Sequence, residues 1–138
     1  MDGPEESQSN AAVSPELSIV FAYYENPQML EFQWDEICRY PEDVKARIEI
    51  VLVDDASPSY PAAGVDRPDG FPVVSIFRIR QDIPWNQDAA RNIGAYEAKA
   101  PALLLTDIDH VVPVETLRAL LDSDLVDGAF YTLGRVNN

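Results

Sequence analysis

Beyond the first fifteen residues, the hydrophobic positions fall into short continuous runs, separated by stretches in which they recur every three or four residues. The runs Leu17–Ala22, Ile48–Val53, Phe71–Ile79 and Ala102–Thr106 are bounded by Pro, Asp, Asn or Gly, and runs of this length predict buried strands. Between them, Met29, Leu30, Trp34, Ile37 and Cys38 mark a helix that opens at Asn26-Pro27, with Asn as N-cap and Pro at the first helical position, and runs to about Arg39. Pro41–Arg47 predicts a short helical turn, and Ser57–Pro72, rich in Pro, Gly, Ala and Asp, a surface loop. Ala89, Ala90, Ile93 and Tyr96 predict a helix over Asn86–Lys99 that Pro101 stops. A helix over Val114–Leu121 and a fifth strand over Gly128–Gly134 complete the pattern.

Strands alternating with helices imply right-handed crossovers and an α/β domain with a mostly parallel sheet flanked by helices. Ligands of such sheets bind beyond the carboxyl ends of the strands. Three of those ends carry polar residues: Ala22–Glu25, Asp54-Asp55 and Asp107–His110. The last is the most informative, because Ala102-Leu103-Leu104-Leu105-Thr106 delivers Asp107-Ile108-Asp109 directly at a strand end. Hard cations such as Mg²⁺ and Mn²⁺ take oxygen ligands from one or two carboxylates plus substrate phosphates, so this pair points to a divalent cation and a phosphorylated ligand. The same aspartates also suit a solvated turn before the next helix, and Asp54-Asp55 suits an Asx-turn.

Composition narrows the partners. Of 138 residues, 24 are acidic and ten are Lys or Arg, giving a formal net charge of −14. That field disfavours nucleic acid and anionic membranes, whose binding relies on Lys and Arg, and it makes a local cation necessary for any phosphate ligand. One His and one Cys disfavour a zinc cluster and a Cys-His nucleophile, and Cys38 has no partner for a disulfide. Neither Gly-x-Gly-x-x-Gly nor a P-loop motif is present to cradle phosphate with backbone amides. Residues 1–16 read as a disordered acidic leader and 17–138 as the folded domain. With no signal peptide or transmembrane run, the expected location is cytoplasmic.

Four motifs in order, Phe21-Ala22-Tyr23-Tyr24-Glu25-Asn26, Val51-Leu52-Val53-Asp54-Asp55-Ala56-Ser57, Asn86-Gln87-Asp88-Ala89-Ala90-Arg91-Asn92-Ile93-Gly94 and Leu104-Leu105-Thr106-Asp107-Ile108-Asp109, resemble those of the family 2 glycosyltransferases of GT-A fold. The resemblance covers about Leu17 to Asp122. It implies a GT-A-like nucleotide-sugar-binding domain that takes a nucleoside diphosphate sugar, with UDP expected, and passes the sugar to a glycan, protein or lipid-linked acceptor that the sequence does not specify. It further implies that Ala22 and Tyr24 line the base pocket, that Asp55, with Asp54, accepts a hydrogen bond from uracil, and that Asp107 holds the ribose or the metal shell. Asp109 is then the direct ligand of Mn²⁺ or Mg²⁺, Asn86 and Arg91 border the donor, and Gly94 packs the helix against the sheet. Arg78 and Arg80 are further cations near the donor, with solvent as the equal alternative. His110 is expected to face solvent, with a metal site shared with its neighbour Asp109 as the alternative, Trp34 to lie in the core, and Trp85 either to wall the pocket or to anchor the helix start.

Members of that family continue well past the Asp-x-Asp strand, so a non-catalytic nucleotide-sugar-binding module, or the donor-binding half of a larger transferase, is the alternative. A response-regulator receiver shares the acidic strand ends but needs a later strand-end Lys, and a haloacid-dehalogenase-like phosphatase opens on its Asp-x-Asp; this chain does neither.

Overall fold

The computed structural model of the chain describes residues 14–134. Four strands, β1 (Leu17–Tyr23), β2 (Ile48–Asp54), β3 (Val73–Arg78) and β4 (Ala102–Asp107), form one sheet in the order β3-β2-β1-β4. Every neighbouring pair is parallel. Helices α1 (Pro27–Cys38) and α2 (Glu42–Lys45) join β1 to β2, α3 (Gln87–Glu97) joins β3 to β4, and α4 (Val114–Leu121) follows β4. The Asn26 side chain accepts from the Met29 N–H at 3.2 Å, with Pro27 in the first turn.

β1 and β2 are buried along their whole length, as inner strands covered on both faces must be. Side chains alternate between the faces. Leu17, Ile19, Phe21 and Tyr23 join Ile48, Ile50 and Leu52 in the larger core with Leu30, Trp34, Ile37 and Leu117 of α1 and α4. The Trp34 ring meets Phe71 edge-on at 5.1 Å. The opposite face carries Val20, Ala22 and Val53 beneath α3, where Ala90 completes a small second cluster. Ser18 and Glu49, fully buried on that face, form a polar exception: the Ser18 hydroxyl donates to Glu49 Oε1 at 2.5 Å, and the Lys99 N–H donates to the same oxygen at 2.6 Å.

The expected fifth strand is corrected. Residues 128–134 form no strand, and Phe130 is fully exposed. Their apolar positions read as a strand, but a strand needs a partner; here the Val126 N–H donates to the Tyr131 hydroxyl and the Ala129 N–H to the Val126 carbonyl, so the segment bonds within itself. Met1–Val13, most of the expected leader, lies outside the described residues. Glu16 is tied down, its carboxylate accepting from Arg47 and its N–H donating to the Arg47 carbonyl. Among the described residues, no helix is long and apolar enough to cross a membrane.

Candidate functional site

The sheet order dictates where a ligand can enter. From β1 the chain moves outward through β2 and β3, then α3 carries it back to place β4 on the other side of β1. The carboxyl ends of β1 and β4 therefore border the crevice at the point where strand order reverses. A cleft of about 260 Å³ opens there, lined by Ala22, Asn26, Gln87, Asp107, Ile108 and Asp109. Ala22 and Asp107 are register partners, so the small side chain leaves room beside the carboxylate.

Beyond β4, Asp107, Asp109 and His110 each present one ligand atom, all within 4.8 Å of one another. His110 Nδ1 lies 3.9 Å from Asp107 Oδ2 and its Nε2 3.8 Å from Asp109 Oδ1. The expected solvent-facing histidine thus stands beside both carboxylates, half-buried. A turn brings it back, with the His110 N–H donating to the Asp107 carbonyl at 3.0 Å and the Gln33 amide donating to the His110 carbonyl. The other Asp107 oxygen accepts from Arg91 of α3, whose guanidinium also reaches Asp88 at 3.3 Å. Two carboxylates and one imidazole are a donor set able to hold a divalent metal ion.

Alternation separates the neighbours Asp54 and Asp55. Asp54 turns to the α1 face, where its two oxygens accept from the Ser57 and Ala62 N–H groups at 2.9 and 2.8 Å. Both oxygens are thereby committed to shaping the loop after β2. Asp55 turns to the α3 face with Val53, and its N–H donates to the Tyr23 carbonyl at 2.8 Å. Its carboxylate is buried, and Oδ1 has no hydrogen-bond partner within the protein. Burial pushes its pKa up, opposed by a hydrogen bond from Asn86, with Asp82 and Asp54 adding to the rise. An unpaired buried acceptor is costly and calls for a donor supplied from outside the fold.

The turn around this acceptor is tightly built. Glu25, at φ 47°, accepts from the Ser59 and Tyr60 N–H groups at 2.8 Å each, and Arg78 holds the Ser57 carbonyl at 2.9 Å. Tyr24 is partly exposed and donates to Asp82 Oδ2 at 3.0 Å; that carboxylate raises the phenol pKa. Arg80 is exposed. Asn86, the residue preceding α3, makes no side-chain cap and lies near Asp55, whose pKa it lowers. Trp34 lies in the core and Trp85 is almost fully exposed, so Trp85 does not pin the helix start.

Two features went unforeseen, and the choice between the two readings of His110 depends on the turn after β4. The Asp82 contact with Tyr24 spans 58 residues and has no local signal. Glu49 was foreseeable, since a lone carboxylate inside a run covered on both faces must be buried.

Comparison with known proteins decides the family. The model for glycosyl transferase family 2 matches residues 18–136. The chain belongs to glycosyl transferase family 2. No curated protein gives a match to it. Among solved structures it is similar to that of S. aureus TarS 1-349, with TM-score 0.60 and 18% identity over 76% of this chain and 31% of that one. The TarS 1-349 complex with UDP gives TM-score 0.59 and 18% identity over 76% and 30% of the two chains, and the complex with UDP-GlcNAc gives 0.57 and 20% over the same shares. At these identities the likeness establishes the GT-A-like α/β fold. The chain spans about 30% of the length of those TarS chains.

Proposed function

We propose that this chain forms the donor-binding part of a metal-dependent glycosyltransferase that takes a UDP-linked sugar and passes the sugar to an acceptor. The observation that carries the reading is the buried, unpaired Oδ1 of Asp55 on the same sheet face as Ala22 and Asp107. A fixed acceptor there selects a ring bearing an N–H, as uracil does, and a base without that donor leaves the buried oxygen unsatisfied. Tyr24 and Ala22 border the same strand ends. The UDP and UDP-GlcNAc complexes of TarS, on a similar fold, point the same way.

Asp109, Asp107 and His110 are the residues that would hold Mn²⁺ or Mg²⁺, which when bound stabilises a diphosphate leaving group. Arg91 keeps Asp107 oriented toward the cleft and adds a positive charge beside a diphosphate. Asn86, beside Asp55, favours its charged form and so keeps it an acceptor. Donor binding thus divides between Asp55, which reads the base, and the strand-end cluster, which takes the charge.

Calorimetric titration with UDP, CDP, GDP and ADP, with and without Mn²⁺, tests this. UDP is expected to bind best and to need the metal, and Asp55→Ala is expected to erode the preference for UDP while leaving pyrophosphate binding in place. Failure of every nucleotide to bind in Mn²⁺ would refute the proposal.

A further inference from the structure

The segment between β3 and α3, residues 79–86, flanks the proposed donor site yet contributes little to the core. Its most prominent member is Trp85, 96% exposed, with its backbone at φ 60° in the left-handed region. Bulky residues adopt that conformation at a cost, and the cost persists only where the surroundings or a function enforce it. The surroundings here are the base-reading groups themselves. Asn86, next in the chain, lies close enough to the Asp55 carboxylate to favour its charged form, and Asp82, three residues back, accepts from Tyr24. Pro84 further restricts the segment immediately before the indole. The loop is therefore tied on both sides of Trp85 to the pocket that reads the base, while the largest aromatic surface in it meets only solvent.

We infer that Trp85 is a stacking residue for the nucleotide base, covering the ring face while Asp55 reads the ring edge. The inference rests on the donor-site reading above and assigns a residue that reading does not use. Stacking and edge recognition have different signatures. Every base has a π-face, so a stacking indole adds affinity with little discrimination, whereas an unpaired acceptor discriminates. Trp85 therefore sets how tightly a nucleotide is held, and Asp55 sets which one.

The test uses the fact that Trp85 and Trp34 are the two tryptophans of the chain and that Trp34 is fully buried. Acrylamide quenching of the native fluorescence accordingly reports on Trp85. The titration uses Mg²⁺, with UDP saturation fixed independently by calorimetry. UDP is expected to lower the quenching constant toward that of Trp85→Phe, in which only Trp34 emits. Trp85→Ala is expected to weaken UDP and CDP alike by about tenfold, the scale of one base–aromatic contact, with pyrophosphate affinity and the melting curve unchanged. Trp85→Phe, which keeps a stacking ring, is expected to retain most of the affinity. The inference is overturned if UDP binds by calorimetry while Trp85 stays as quenchable as in the free protein, as it would if the indole met an acceptor or another protein instead. It is equally overturned if Trp85→Ala leaves UDP affinity unchanged. Absence of any nucleotide binding to the unaltered chain would instead strike the donor-site reading, and this inference with it.

Discussion

Replacing Gly94 by Ala should loosen the helix that carries Arg91. A Cβ built on Gly94 lies 2.4 Å from Val20 Cγ1 and 3.4 Å from Val53 Cγ2, against ordinary carbon contacts of about 3.5–4.0 Å. Val20 is fully buried in β1 between Val51 and Leu105, so it cannot swing aside and α3 must lift. Overpacking of this kind costs about 1–3 kcal/mol, and the better helix propensity of Ala returns about 1 kcal/mol. With an approach this close to a buried side chain, the expected net loss is about 1–2 kcal/mol, or a fall in Tm of roughly 4–8 °C for a domain of this size. Thermal denaturation followed by circular dichroism measures it. Adding Val20→Ala removes the colliding methyl, so the double variant should be more stable than the sum of the two single losses by about 1–2 kcal/mol. Because Arg91 lies three residues before Gly94 and pairs with Asp107, Gly94→Ala should also weaken metal-dependent UDP binding. A Tm equal to or above that of the parent, or strict additivity in the cycle, would refute the argument.

Asp109→Ala should abolish metal-dependent nucleotide binding with an unaltered melting curve, since an exposed strand-end carboxylate contributes more to ligation than to packing; retained affinity in Mn²⁺ contradicts this. Asp55 has a folded pKa raised by burial above its ordinary 3.8, so the folded state binds its proton more tightly and stability falls as pH rises from about that value through the raised one. Asp55→Asn should therefore raise Tm at pH 7 and bring a smaller gain near pH 4, and melting curves at the two pH values decide it. Incubation with UDP-sugars and Mn²⁺ should release free UDP slowly for at least one sugar, and Asp109→Ala should stop the release; no release above the variant's background across a broad sugar and acceptor panel favours a binding module.

The order of strands and helices was legible because the two periodicities, continuous runs and three-to-four spacing, scarcely overlap in this chain. The location of the cleft was legible too, since a parallel sheet exposes its polar strand ends at one edge and Asp107-Ile108-Asp109 follows a strand directly. The division of labour between Asp54 and Asp55 was less visible. Strand alternation sends them to opposite faces, but the commitment of Asp54 to the loop depends on Ala62, eight residues away across an irregular turn. The choice between solvent and the Asp109 side for His110 was open for a similar reason, being made by the turn after β4. The run at residues 128–134 misled because apolar spacing identifies residues able to pair and carries no information about an available neighbour.

The buried Ser18–Glu49 pair acts as a length gauge for the far end of the sheet. Glu49 Oε1 grips the Lys99 N–H and Ser18 Oγ accepts from the Ala100 N–H, so the start of β4 is clamped to β1 and β2 at the edge opposite the cleft. From that clamp β4 runs beside β1 from Ala102 opposite Leu17 to Asp107 opposite Ala22. The count matters, because a slip of one residue would send Asp107 to the other face and bring Thr106 or Ile108 into its place. Inserting one residue between Ala100 and Ala102 should thus misalign the acidic cluster without touching it, and restoring the count elsewhere in β4 should restore it. The position of Asp107 at the cleft is in this sense measured off from a hydrogen bond at the other end of the strand.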